Sequence, residues 1–179
     1  MPSIFGHTLA AITIGKSYPK KICSWKFFIL GILCATLADI DVIAFKLGIP
    51  YGNAFGHRGF THSILFAVIL GVSITFIFYG KNFLSKKGLV LISFFTLCAI
   101  SHDILDAMTN GGLGIGFFIP WDEARYFLPW RPIEVSPIGI RHFSEKAVRI
   151  IKNEMIWIGI PCLVYFLIMS VMRRKKYYS

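Results

Sequence analysis

The chain is short of charge. Only 16% of its 179 residues are Asp, Glu, Lys or Arg, and acids are the scarcer sign, nine against nineteen Lys and Arg. A soluble domain covers its surface with about 25% charged residues, so a water-facing globule is excluded. A hydrophobic content of 55% and a mean hydropathy of +0.65 indicate a membrane protein in contact with the lipid bilayer. The excess of positive charge does not redirect this reading to nucleic acid, because no RRM-like, zinc-finger or basic-helix pattern is present. No nucleic-acid partner is expected. Also missing is any CxxC pair among Cys23, Cys34, Cys98 and Cys162, which removes a zinc knuckle or redox motif and leaves single thiols packed as small hydrophobes. No basic stretch precedes the first apolar segment, as a signal peptide requires; the lysines follow it. Internal repeats and low-complexity tracts are absent, and one domain over 1–179 is expected.

What is present is a series of apolar runs. Residues 1–15 carry His7 and offer Ser3 as an N-cap. About 13 residues of helix reach only about 20 Å, short of the ~30 Å hydrocarbon core, so a partly inserted or re-entrant helix is expected. Four longer runs, about 27–45, 64–80, 88–108 and 155–172, are read as transmembrane helices. Between the third and fourth lies a loop-like segment with Asn110-Gly111-Gly112, Pro120, Pro129, Pro132 and Pro137. Its Trp121, Tyr126, Phe127 and Trp130 suit a headgroup boundary. The spacing of Phe143, Ala147, Ile150 and Ile151 then predicts an amphipathic interfacial helix. The fold class is all-α, a polytopic membrane helix bundle.

Charge placement orients it. Lys16, Lys20, Lys21 and Lys26 precede the first span, Lys81, Lys86 and Lys87 join the second to the third, and Arg173 to Lys176 end the chain, all without an acid among them. The positive-inside rule puts these on the cytoplasmic side. Span one then runs outward towards Asp39 and Asp41, span two starts outside after His57 and His62, and span three brings His102, Asp103 and Asp106 to the same outer face. A re-entrant first helix adds His7.

From Phe27 to Asp39 is about 18 Å of helix, and from Gly88 to Asp103 about 22 Å. Carboxylates at such depth cost on the order of 2.5–3.5 kcal/mol each near the bilayer centre. They must share a cavity, pair with cations or bind a metal. His102-x-x-x-Asp106 puts imidazole and carboxylate on one helix face, a pair suited to zinc or manganese; the competing reading is that they hydrogen-bond each other. Asp103 points about 100° away, as a partner that orients a ligand or one that stabilises the helix. Asp39 and Asp41 diverge by about 200° on a helix, so either the helix ends here, as Gly48 and Pro50 require soon, or one ligates and the other orients. Ligand roles are expected for both, against pairing with Lys46 or Arg58. Thr61 is read as the N-cap of span two, with His62 in its first turn, where the helix dipole favours the neutral, metal-binding ring. Arg58 is positioned to hold an anionic oxygen or a developing charge.

His7-Thr8-Leu9-Ala10, Leu37-Ala38-Asp39-Ile40-Asp41, His57-Arg58-Gly59-Phe60-Thr61-His62-Ser63 and Ser101-His102-Asp103-Ile104-Leu105-Asp106 together resemble the YdjM-like family of bacterial inner-membrane proteins, described as metal-dependent hydrolases. Thr109-Asn110-Gly111-Gly112 and Arg125 to Ile133 share the likeness, which covers residues 5–140. Relatives often carry Pro before the first Asp, where this chain has Ala38. The resemblance implies a multi-pass protein of the inner membrane and a hydrolytic site facing the periplasm. The expected metal ligands are His7, Asp39, Asp41, His57, His62, His102 and Asp106, holding one or two divalent ions, zinc or manganese. Asp41 or Asp106 serves as general base, Arg58 steadies the transition state, and Asp103, Thr61, Ser63 and Asn110 support the ligands. A phosphoester or ester of a lipid or envelope precursor is the expected substrate class. A likeness to zinc-dependent phospholipases C is analogy alone. The alternative is a non-catalytic membrane protein, a metal or proton transporter or a partner-binding scaffold, using the same cluster.

Overall fold

Three of the spans start in the same way. Ser24, Ser63 and Ser85 each stand one residue before a helix and accept, through the hydroxyl, the N–H of Phe27, Phe66 and Gly88, which satisfies a donor the helix itself cannot. The computed structural model describes residues 1–136 and 145–178. Its helices are α1 (Ile4–Gly15), α2 (Trp25–Leu37), α3 (Ile43–Lys46), α4 (Ile64–Tyr79), α5 (Lys86–Ala107), α6 (Glu145–Glu154) and α7 (Ile160–Tyr178). Among the described residues there are only two isolated β-bridges, Thr109 with Ile133 and Ile115 with Tyr126, and no strand.

Four stretches are long and apolar enough to cross a membrane: Trp25–Lys46, Ile64–Asn82, Lys86–Ala107 and Ala147–Arg173. The first includes α2, a 3-10 turn at Ala38–Val42 and α3. In the last, α6 runs directly into the span, so the expected interfacial helix is the span's own beginning; Phe143 and Pro137 lie outside the described residues. No helix breaker separates Lys152 from Met155. Pro161 cannot donate to the carbonyl one turn earlier, and just ahead of it the helix widens into a π turn at Met155–Gly159.

The core is built around α5, which packs against α1, α2 and α4. Phe27 and Phe94 stack with ring centroids 3.7 Å apart, and Leu30, Cys34, Leu91, Phe95 and Cys98 are buried around them. Where α4 crosses α5, a Cβ on Gly71 would lie 2.2 Å from Thr96 Oγ1 and 2.9 Å from its backbone nitrogen. Only glycine permits that approach, the small-residue contact by which helices associate in lipid, where no hydrophobic force drives them together. The fourth span differs: 11% of its apolar window is buried, against 44% for the first and third. It meets the bundle chiefly through α1.

The loops at the end opposite the basic turn interlock. Ile64 donates to the Phe117 carbonyl, Gly116 to that of Arg58, and Ile115 pairs with Tyr126. Arg125 donates from Nη1 to the His57 carbonyl and from Nη2 to those of Asn53 and Tyr51.

Candidate metal centre

His7, Asp39, Asp41, His57, His62, His102 and Asp106 lie together at this end of the bundle, and the local structure explains how. Ser63 is the cap of α4, so Thr61 is not. Phe60–His62 is a separate 3-10 turn, and His62 precedes the helix instead of lying in its first turn. Because Ser63 supplies the cap, the Thr61 hydroxyl is free to donate to Asp41 Oδ2 at 2.7 Å. The α-helix of span one gives way to the 3-10 turn at Ala38, which resolves the divergence of Asp39 and Asp41: each carboxylate reaches the cluster from its own direction.

Asp41 is an acceptor hub. Its Oδ1 lies 2.6 Å from His57 Nδ1, and its Oδ2 accepts from the Arg58 backbone N–H at 2.9 Å and lies 3.1 Å from His62 Nδ1. The protons follow by elimination. The hydroxyl hydrogen of Thr61 is spent on Asp41, so Thr61 Oγ1, 3.2 Å from His62 Nδ1, can only accept there. His62 therefore carries its hydrogen on Nδ1. His102 Nδ1 faces the Ala35 carbonyl at 2.9 Å and must donate as well. In the neutral rings both Nε2 atoms then present lone pairs, and they face each other across 3.1 Å.

Two facing lone pairs repel unless a proton or a metal ion lies between them. Asp39 Oδ1 stands 3.4 Å from His102 Nε2 and 3.7 Å from His62 Nε2, and Asp106 Oδ2 stands 4.0 Å from His62 Nε2. Four ligands held in a tetrahedron at about 2.0–2.1 Å from zinc are about 3.3 Å from one another. The ligand-type atoms of Asp39, His62, His102 and Asp106 all lie within 4.8 Å of one another, and the group could hold a metal ion. Asp39 Oδ1 and both oxygens of Asp106 are buried without a hydrogen bond among the described residues, a cost of about 1–3 kcal/mol per group if nothing fills the gap. His62 lies just ahead of span two. Burial opposes its charged form, yet the Asp39 and Asp41 carboxylates outweigh that and raise its pKa to about 10: in the absence of a metal the cluster draws in a proton.

His7 adds to the set. Its ring stacks on His102 with centroids 4.0 Å apart, its Nε2 lies 3.6 Å from Asp106 Oδ1, and both of its nitrogens are buried and unpaired among the described residues. Arg58 sits with its backbone in the left-handed region, φ 62°. Its Nε is 3.0 Å from Asp106 Oδ2, off the hydrogen-bonding direction, while Nη1 donates to the Gly111 carbonyl and Nη2 to Thr109 Oγ1. His102 and Asp106 therefore do not bond to each other, and the Arg58 guanidinium pairs with Asp106 rather than with Asp39 or Asp41. Asp41, His57 and Asp39 make a second group of ligand-type atoms within 4.8 Å. A cavity of about 170 Å³ adjoins the cluster, lined by Tyr51, His57, Arg58, Gly112, Val135 and Ser136 with Met1.

Three expected supporting residues do other work. Ser63 caps α4, Asn110 accepts the Val135 N–H at 3.1 Å, and Asp103 is buried with Oδ1 unpaired, making none of the contacts that orient the ligands. Three contributors were not anticipated. The Ala35 carbonyl has no side-chain signature. Thr109 bridges Arg58 to the Asp106 carbonyl, and its signal was its place three residues after Asp106. Glu154, 6% exposed, accepts from both the backbone N–H and the hydroxyl of Ser3; it is an acid at the edge of an apolar run.

Comparison with known proteins bears on the whole chain. A family model described as YdjM inner membrane protein matches residues 1–177. The chain is 37% identical over 163 residues to Inner membrane protein YbcI of Escherichia coli (strain K12), covering 90% of this chain and 92% of that protein. No solved structure gives a significant match.

Proposed function

This chain belongs to the YdjM inner membrane protein family, and from that premise we propose that it is a multi-pass inner-membrane hydrolase. It uses a divalent metal held by Asp39, His62, His102 and Asp106, with His7 beside them, and acts on a phosphoester or ester of a lipid or envelope precursor at the periplasmic face. The carrying observation is the approach of the His62 and His102 Nε2 atoms to 3.1 Å amid orphaned carboxylate oxygens. Two imidazoles and two carboxylates suit zinc, with manganese the next choice.

A divalent cation so held supplies Lewis acidity and a nucleophile drawn from water at neutral pH. The chain's own residues do the rest. Asp41 and the Ala35 carbonyl fix the tautomers of His62 and His102, as the outer partners of metal-binding histidines do. Of the two carboxylates expected as general base, Asp41 spends its oxygens on His57, Arg58, Thr61 and His62. Asp106 would hold the metal through one oxygen, and its other oxygen, free of hydrogen bonds, is the one left to take a proton. Arg58 holds Asp106 in place and presents positive charge to the cavity, where charge develops on the substrate. Transport is disfavoured because the other half of the bundle is filled by Phe27, Leu30, Leu91, Phe94 and Phe95, and among the described residues the polar groups buried there are uncharged hydroxyls such as those of Thr75 and Thr96, with no acid or histidine to continue a path towards the basic turn.

Elemental analysis of the purified protein, with His62→Ala and His102→Ala alongside, is expected to find zinc in wild type only. Release of phosphate, alcohol or fatty acid from a panel of lipid vesicles is expected to stop on chelation. Negligible metal in all three proteins would overturn the metal centre; metal without hydrolysis of any ester or phosphoester would overturn the enzyme reading. An exported reporter fused within residues 81–87 would overturn the periplasmic placement.

A further inference from the structure

The fourth span is mostly unburied, yet it sends one carboxylate inward. Glu154, at the junction of α6 and the π turn, accepts through Oε1 from the Ser3 N–H and through Oε2 from the Ser3 hydroxyl. Ser3 is the N-cap residue of α1, but its hydroxyl makes no cap of its own; it is turned outward to Glu154. The negative charge also meets the positive end of the α1 dipole. A Cβ on Gly6 would lie 2.9 Å from Ile158 Cδ1 and 3.5 Å from Glu154 Oε2, so the π turn and α1 touch with no room for a side chain between them. His7 is the next residue. It comes from a helix of 12 residues, too short to be stable on its own in water or to span a bilayer, and neither ring nitrogen has a hydrogen-bond partner among the described residues.

We propose that Glu154 is the positioning residue for His7: by gripping the start of α1 it sets the ring against Asp106 and makes the fourth span part of the metal centre. This rests on the metal reading above. Glu154 touches neither metal ligand nor substrate; it acts through Ser3 and the helix. His7 is then a further nitrogen donor beside the four-residue site, and its place there depends on a residue from the far end of the chain, 151 positions beyond the Ser3 that it grips.

The test is cobalt substitution of the full-length protein in detergent, read by visible absorption, with zinc affinity measured by competition. His7→Ala is expected to change the band intensity and position as a nitrogen donor is lost beside the four-residue site. Glu154→Ala is expected to give the same altered spectrum and zinc binding weaker by about 10–100-fold, while Glu154→Gln, which can still accept the Ser3 N–H, returns towards wild type. Ser3→Ala, expected to shift part-way, serves if Glu154→Ala does not fold. A Glu154→Ala spectrum identical to wild type or, where Glu154→Ala cannot be made, a Ser3→Ala spectrum identical to wild type, would overturn the positioning role. An unchanged His7→Ala spectrum would overturn it too while leaving the four-ligand site intact. Failure of wild type to bind cobalt would overturn the metal reading itself.

Discussion

Asp41 offers the sharpest test of how the cluster is organised. In Asp41→Ala, His57 Nδ1, the Arg58 N–H, the Thr61 hydroxyl and His62 Nδ1 all lose their acceptor at once. Loss of an outer partner of a metal-binding histidine costs about 10–100-fold in affinity, or about 1.4–2.7 kcal/mol. Because His62 is freed to rotate and to move its proton to Nε2, the alanine variant belongs at the upper end, near 100-fold. Asp41→Asn is milder. Its amide oxygen can serve the three donors on the Oδ2 side, and its NH2 then faces His57, so the His62 tautomer survives and the loss is expected near 10-fold. The assay is competition for zinc against a chromogenic chelator, with stoichiometry from elemental analysis of the same samples. Asp41→Ala binding zinc as tightly as wild type would refute the orienting role. A drop in stoichiometry in place of affinity would instead make Asp41, with Asp39 and His57, a ligand of a second ion.

Three further outcomes are expected. In the metal-free protein Arg58→Ala leaves Asp106 buried without its counter-ion, so thermal or denaturant unfolding should show a loss of about 3–5 kcal/mol, and Arg58→Lys should not restore it because a single ammonium cannot reach Asp106, Gly111 and Thr109 together. With its pKa raised to about 10, His62 holds a proton across the neutral range that a metal must displace; zinc affinity should therefore rise by about tenfold per pH unit between about pH 6 and 8 for one released proton, and a flat profile would remove proton competition. Phe94→Ala opens the stacked pair with Phe27 and should cost about 3–5 kcal/mol while leaving zinc stoichiometry unchanged, separating core from site.

The helices and their ends were readable because lipid imposes a simple code: apolar runs of span length, broken by lysine turns. The same code made the polar residues conspicuous, since a buried acid or histidine in such a run needs a reason. His62, His102, Asp39 and Asp106 could be brought to one end by topology alone. What could not be read was which atom serves which neighbour. Asp41 and Asp39 are two residues apart and chemically identical; only the 3-10 turn at Ala38–Val42 separates a hub saturated by four donors from an oxygen with none. The cap of span two went to Ser63 because either hydroxyl could have served, and the choice depended on Asp41, distant in sequence. Ala35 acts through its carbonyl, which every residue has. Glu154 was hidden because the partner it grips, Ser3, lies at the other end of the chain.

The Arg125 clasp has a consequence for where the protein works. Its guanidinium is spent on the backbone carbonyls of Tyr51, Asn53 and His57, not on a carboxylate. An exposed ion pair such as that of Arg149 with Glu134 loosens as salt screens it and as acid neutralises its carboxylate. A carbonyl has no proton to gain and no net charge to screen. The roof joining the 51–57 loop to the 115–126 segment should therefore hold equally well in dilute and in brackish surroundings, and in mild acid.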